Sequence, residues 1–108
     1  MKIVYSRFFV EDLEKMIGYI SNELLNPVAA DNLKSVVFKE IERLKESPLL
    51  GESLSSRLFI NDLNLRSIIH KRIVIVYRVS DVITIERVFN ARQDWLCLVG
   101  EMTDNQKR

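Results

Sequence analysis

Glycine is scarce in this chain, at three residues of 108, and the three are far apart. A loop that cradles phosphate with backbone N–H groups needs several glycines close together, so that class of nucleotide site is excluded. His70 is the only histidine, and no Ser-His-Asp arrangement can be argued from it. The one cysteine, Cys97, cannot close an internal disulfide, so nothing implies an oxidising compartment. No His, Cys and carboxylate residues recur at metal-ligand spacing, and neither a metal nor a cofactor is expected. No apolar run approaches the roughly 18 residues of a membrane span. Arg7, Glu11 and Asp12 break the N-terminal apolar stretch, so no signal peptide is read there. The expectation is a cytoplasmic protein without a membrane partner.

What is present is an ordinary globular composition, 47% hydrophobic and 29% charged, enough for one packed domain over residues 1–100 with a polar tail over 101–108. The net charge of +1 hides a division. Residues 11–56 hold five Lys/Arg against nine Asp/Glu, whereas residues 57–94 hold seven against four. Either the two signs simply fall on different faces, or a basic sheet surface meets an anionic partner such as an acidic protein segment or a nucleic acid.

Periodicity supplies the elements. Lys2 to Tyr5 is a short strand, and Ser6 can cap the helix that follows. Phe9, Leu13, Met16, Ile17, Ile20 and Leu24 recur at helical spacing. Asn26-Pro27 opens a second helix with Ala30, Leu33, Val37, Ile41 and Leu44 on one side. Lys39, Glu40, Glu42, Arg43 and Glu46 read as its solvated face. Ser47-Pro48 ends that helix, and residues 49–64 read as loop with a helical turn or short strand. Three β-branched strands follow, at about 65–70, 72–79 and 82–90, with turns near His70-Lys71 and Ser80-Asp81. Such short connections require antiparallel neighbours.

The order β-α-α-β-β-β predicts an α+β fold, an antiparallel sheet with a helical hairpin on one face. Two helices cover only one face, yet Ile73 to Val79 is almost continuously apolar. The second face therefore calls for a cover. Residues 95–99, Trp95-Leu96-Cys97-Leu98-Val99, can fold back over part of it, and a partner chain over the rest.

Several stretches then fall into a familiar order: Ser6 with Asp12-Leu13, Tyr19-Ile20, Asn26-Pro27-x-Ala29-Ala30, Ile41-x-x-Leu44-x-x-x-Pro48-x-x-Gly51, Leu65-Arg66-Ser67, Ile75-Val76-Tyr77-Arg78-Val79 and Arg87-Val88-x-x-x-Arg92-x-Asp94. In this order and spacing the chain resembles the RelE/ParE superfamily of bacterial toxins. The resemblance implies the same fold and a growth-arresting toxin neutralised by a cognate antitoxin, as a homodimer or a toxin–antitoxin hetero-oligomer. Its ribonuclease members cut mRNA on the ribosome, where a proton must leave the 2′-hydroxyl and cations must crowd the phosphate. Here Arg92 matches the arginine after the last strand, but the third-strand arginine position holds Val74 and the terminal tyrosine position falls near Leu98. The Leu-Arg-Ser start and Pro-x-x-Gly turn look more like the ParE branch, whose members inhibit DNA gyrase by binding. There too the chain departs, with Asn90-Ala91 where His-Gly is usual.

As a ribonuclease, the resemblance would assign catalysis to Arg66, Arg87, Arg92 and His70. As a binder, Arg66, Lys71, Arg72, Arg87, Arg92 and Trp95 are the candidates for the target or its phosphates. Val74, Val76, Arg78, Trp95 and Leu98 are the candidates for the antitoxin surface. Each has a plainer reading beside it: His70 as a solvated turn residue, Arg66 paired with Asp62 or a helix acid, Arg92 paired with Asp94, and Trp95 capping the core. A third possibility is a protein of this fold that only binds its partner.

Overall fold

The computed structural model describes residues 1–58 and 64–106, with side chains as far as residue 102. Strand β1, Ile3–Tyr5, ends at Ser6. The Ser6 hydroxyl accepts the Phe9 N–H at 3.0 Å and donates to the Glu86 carbonyl at 2.6 Å. One side chain thus caps helix α1, Arg7–Gly18, and joins it to the far end of the sequence.

The periodicity through Leu24 predicts one helix, but regular α1 stops at Gly18. Tyr19–Glu23 form a π-helical turn. Leu25 follows with φ of 50°, the left-handed position that glycine usually holds after a helix, and the Asn26 N–H closes the motif on the Ile20 carbonyl at 3.1 Å. Helix α2, Pro27–Glu46, starts as its sequence predicts, with Asn26 Oδ1 accepting the Ala29 N–H at 3.1 Å. Ala30, Leu33, Val37, Ile41 and Leu44 are buried as expected. Glu40, read as solvated, is buried as well, because both its oxygens accept from Arg43 Nη1, at 2.9 and 3.1 Å.

Within the stretch read as loop lie strand β2, Glu52–Ser53, and a helical turn α3, Ser55–Leu58; residues 59–63 of that stretch fall outside the described residues. Strands β3 (Leu65–His70), β4 (Ile73–Val79) and β5 (Ile83–Asn90) form the expected antiparallel meander. The sheet order is β1-β5-β4-β3-β2. β1 lies parallel to β5, Ile3 opposite Ile83, a pairing that sequence spacing alone did not provide. A bulge at Val76/Tyr77 leaves Glu86 as the extra residue of β5, since Val76 faces Arg87 and Tyr77 faces Ile85.

Helix α4, Trp95–Gln106, resolves the apolar excess of β4 and crosses the residue-100 boundary read from the sequence. Ile73, Ile75 and Tyr77 pack against Phe9, Leu13, Val37, Ile41 and Leu44 beneath the helical hairpin. Val74 and Val76 point the other way and, with Leu54, Leu65 and Phe89, meet Trp95 and Val99 of α4. A strand apolar on both sides is what two covered faces require. Each such side chain contributes about 1.5–3 kcal/mol on full burial. The second face is thus covered by the chain itself.

Candidate functional site

The cations fall into two sets: those the fold uses and those it leaves free. Arg87 belongs to the first. Its Nε and Nη2 donate to Asp12 Oδ2 and Oδ1 at 2.6 and 2.9 Å, and the Val88 N–H donates to the same carboxylate at 3.2 Å. Hydrogen bonding to Asp12 holds the guanidinium above its ordinary pKa range, while burial pulls the other way. Its plane also lies over the rings of Phe89 and Phe8, 4.9 and 5.8 Å from their centroids.

Arg66 is committed too. Its Nη1 donates to the Gly51 carbonyl at 2.8 Å, and its buried Nε meets no acceptor among the described residues. Asp62, the partner read from the sequence, lies outside them. Beside Arg66 the Tyr77 hydroxyl accepts the Gly51 N–H and donates to the Pro48 carbonyl, both at 2.8 Å. Burial raises the Tyr77 pKa. A Cβ at Gly51 would sit 2.6 Å from Tyr77 Oη and 2.7 Å from the Ser67 carbonyl, so only glycine fits there. Arg66 and Tyr77 together clamp the turn after α2. Arg78 lies 3.7 Å from Glu86, whose pKa burial raises.

His70 Nε2 lies 3.7 Å from Glu40 Oε1 on the hairpin side of the sheet. The ring is directed at a helix acid rather than at the other candidate catalytic residues. Trp95 is only 7% exposed, and the Arg57 guanidinium sits over its ring at 5.6 Å, so it caps the core and offers no stacking face. Val74 and Val76 have no exposed surface at all. Of the residues read as an antitoxin surface, these three lie buried where α4 occupies the face that the sequence left open. Leu98 remains exposed and Arg78 half-buried.

Three of the candidate cations gather at one end of the sheet. Lys71 and Arg72 form the β3–β4 turn with φ of 48° and 68°, between the paired residues His70 and Ile73. Positive φ at both central positions defines a type I′ turn, which Asn-Gly normally fills. A bulky residue held there costs of order 1–3 kcal/mol. The neighbouring β5–α4 turn rests on this one, since the Ala91 N–H donates to the Arg72 carbonyl at 2.8 Å. Asn90 shapes that second turn: its Oδ1 accepts the Arg92 N–H and its N–H donates to Gln93 Oε1, both at 2.9 Å. Sequence reasoning saw Asn90 only as a departure from His-Gly; its position next to a short polar run was the available signal. Arg92 pairs with no carboxylate among the described residues, and Asp94 instead accepts the Cys97 N–H at the start of α4, at 3.4 Å. Lys71, Arg72 and Arg92 are therefore exposed and adjacent, and among the described residues none of them meets a carboxylate. Among the described residues, no group of three His, Cys or carboxylate side chains could hold a metal ion, and no helix is long and apolar enough to cross a membrane.

A helical hairpin on a five-stranded sheet, closed behind by a C-terminal helix, defines a small α+β domain. The chain belongs to the family described as ParE toxin of type II toxin-antitoxin system, parDE, which matches residues 3–95. Among solved structures it is similar to a chain of the chromosomal ParDE TA system from P. aeruginosa, with a TM-score of 0.68 and 17% sequence identity, covering 85% of this chain and 97% of that one. At that identity the likeness establishes the fold alone. No curated protein matches the sequence.

Proposed function

We propose that the protein arrests growth by binding DNA gyrase and that a cognate antitoxin neutralises it. The observation that carries this reading is that two of the four ribonuclease candidates are committed to the fold and that the third-strand arginine position holds a buried valine. Arg87 is locked to Asp12, Arg66 holds the Gly51 carbonyl, and Val74 lies beneath α4 where a catalytic arginine would be wanted. Cleaving a phosphodiester by this route needs a base and an acid in reach of one phosphate. At the free end of the sheet the one candidate base, His70, is directed at Glu40 on α2. A rigid, exposed basic surface supports binding to a larger partner instead.

The test is a supercoiling reaction with purified protein and gyrase, run beside a translation reaction on a defined message. Loss of supercoiling with the message intact is the expected result. Unchanged supercoiling at micromolar excess overturns the gyrase reading, and codon-positioned cuts that disappear in Arg92→Ala would establish the nuclease.

A further inference from the structure

Beside the free cations lies a cleft of about 430 Å³ between helix α2 and the β3–β4 turn. Leu33 and Ile73, both buried, and the half-buried Val36 form its floor. Lys39 enters from α2 and Lys71 from the turn, both exposed, with Asn32 alongside. No carboxylate lines it. Two other clefts among the described residues differ in this respect: one contains Glu40 and Glu52 with Arg43, the other Glu14 with Lys34. Neither lysine has an acidic partner among the described residues, and Glu40, the nearest buried acid on α2, is already held by Arg43.

The turn that supplies Lys71 is the one built on two left-handed cationic residues. A glycine or asparagine would form it more readily, so the charge is placed there against the local backbone preference. Two observations, an acid-free cationic cleft and a strained cationic turn at its edge, thus point to a ligand. The chemistry of the floor decides its class. A nucleobase needs an aromatic face for stacking, and the cleft has none. A bare phosphate has no use for an aliphatic floor. An aliphatic side chain flanked by carboxylates satisfies both parts of the lining.

We propose that this cleft is a docking site for an acidic peptide segment that inserts an aliphatic side chain between Lys39 and Lys71. The inference does not depend on gyrase being the target, and a negative supercoiling result leaves it standing.

A fluorescein-labelled peptide alternating leucine with glutamate and aspartate, followed by anisotropy on the full chain, tests it. Binding is expected to weaken about tenfold in the Lys39→Glu/Lys71→Glu double variant, and to weaken as salt rises. Changing the peptide leucines to serine weakens it as well. Lys34→Glu, which reverses a charge in the separate groove containing Glu14, leaves binding unchanged. A loss with Lys34→Glu equal to that of the double variant overturns the proposal, since the attraction would then be general. Tighter binding of oligothymidylate than of the peptide, abolished by the same double variant, overturns it in favour of nucleic acid. Urea midpoints check that each variant is folded, and Lys39→Gln/Lys71→Gln replaces the double reversal if that one unfolds.

Discussion

Glu86 shows how much one residue can owe to a local irregularity. It is the bulge residue of β5, and the bulge turns its carboxylate toward Arg78 in a partly buried place. Burial raises its pKa above the usual 4.5, outweighing the opposing pull of Arg78. As pH rises past the ordinary carboxylate value, the unfolded chain releases this proton first, so the folded state is left holding more protons and loses stability. The contribution is present in acid and disappears as pH rises through the folded pKa. Between pH 4 and pH 7 the wild type should therefore lose stability relative to Glu86→Gln, read as urea midpoints with unchanged slope. A midpoint difference that stays constant with pH would remove the carboxylate as its cause. Nothing in the sequence marks Glu86 for this role, because a bulge depends on register with a neighbouring strand. Arg87 was legible as a functional candidate for its charge and illegible as a structural one, since its partner Asp12 lies 75 residues earlier, in helix α1. Ser6 and Asn26, whose bonds reach three residues along the chain, were readable as caps from the start.

At the scale of elements, local periodicity sufficed wherever the periodic residues also met a single neighbour. The core stripe of α2 and the three long strands emerged within a residue or two of their predicted bounds, whereas the stripe of α1 ran past Gly18 to an exposed Leu24. The π-helical turn did not, because a helix pattern that continues through Tyr19 and Ile20 looks the same whether one hydrogen bond spans four residues or five. The β3–β4 turn was missed by one residue for a related reason. Lys71-Arg72 carries none of the turn chemistry that normally marks positive φ. That mismatch makes Arg72→Gly a direct test of turn strain. It should stabilise the protein by about 1 kcal/mol, since glycine adopts the left-handed region without the Cβ clash. Equilibrium urea unfolding measures it, and a loss of stability would mean that the arginine side chain itself holds the turn.

For the whole molecule, the apolar strand β4 announced that something must lie on each side of the sheet, and the sequence also marked residues 95–99 as able to fold back. What it could not supply was the extent of α4, because a helix that covers a sheet face is chosen by shape as much as by pattern. The parallel pairing of β1 with β5 is another global choice. The meander β3-β4-β5 consists of near neighbours and can form locally, whereas β1 must wait for residues 80 positions away, the separation spanned by Ser6 and Glu86. Ser6→Ala removes that tie along with a helix cap. It should raise the unfolding rate several-fold and change refolding little, as interactions formed after the transition state do. Stopped-flow urea kinetics would show this, and a refolding rate that falls with the substitution would place β1 in the nucleus instead.

The same closure governs when the fold can first be complete. A ribosome adds about 5–20 residues each second, so the first strand emerges several seconds before its partner strand has been made. Throughout that interval β1 has no strand to pair with, and the sheet stays open on the β5 side of β4. A newly made copy therefore passes through a period in which its sheet is incomplete, whose length is set by the distance in sequence between its first strand and the last strand of its sheet.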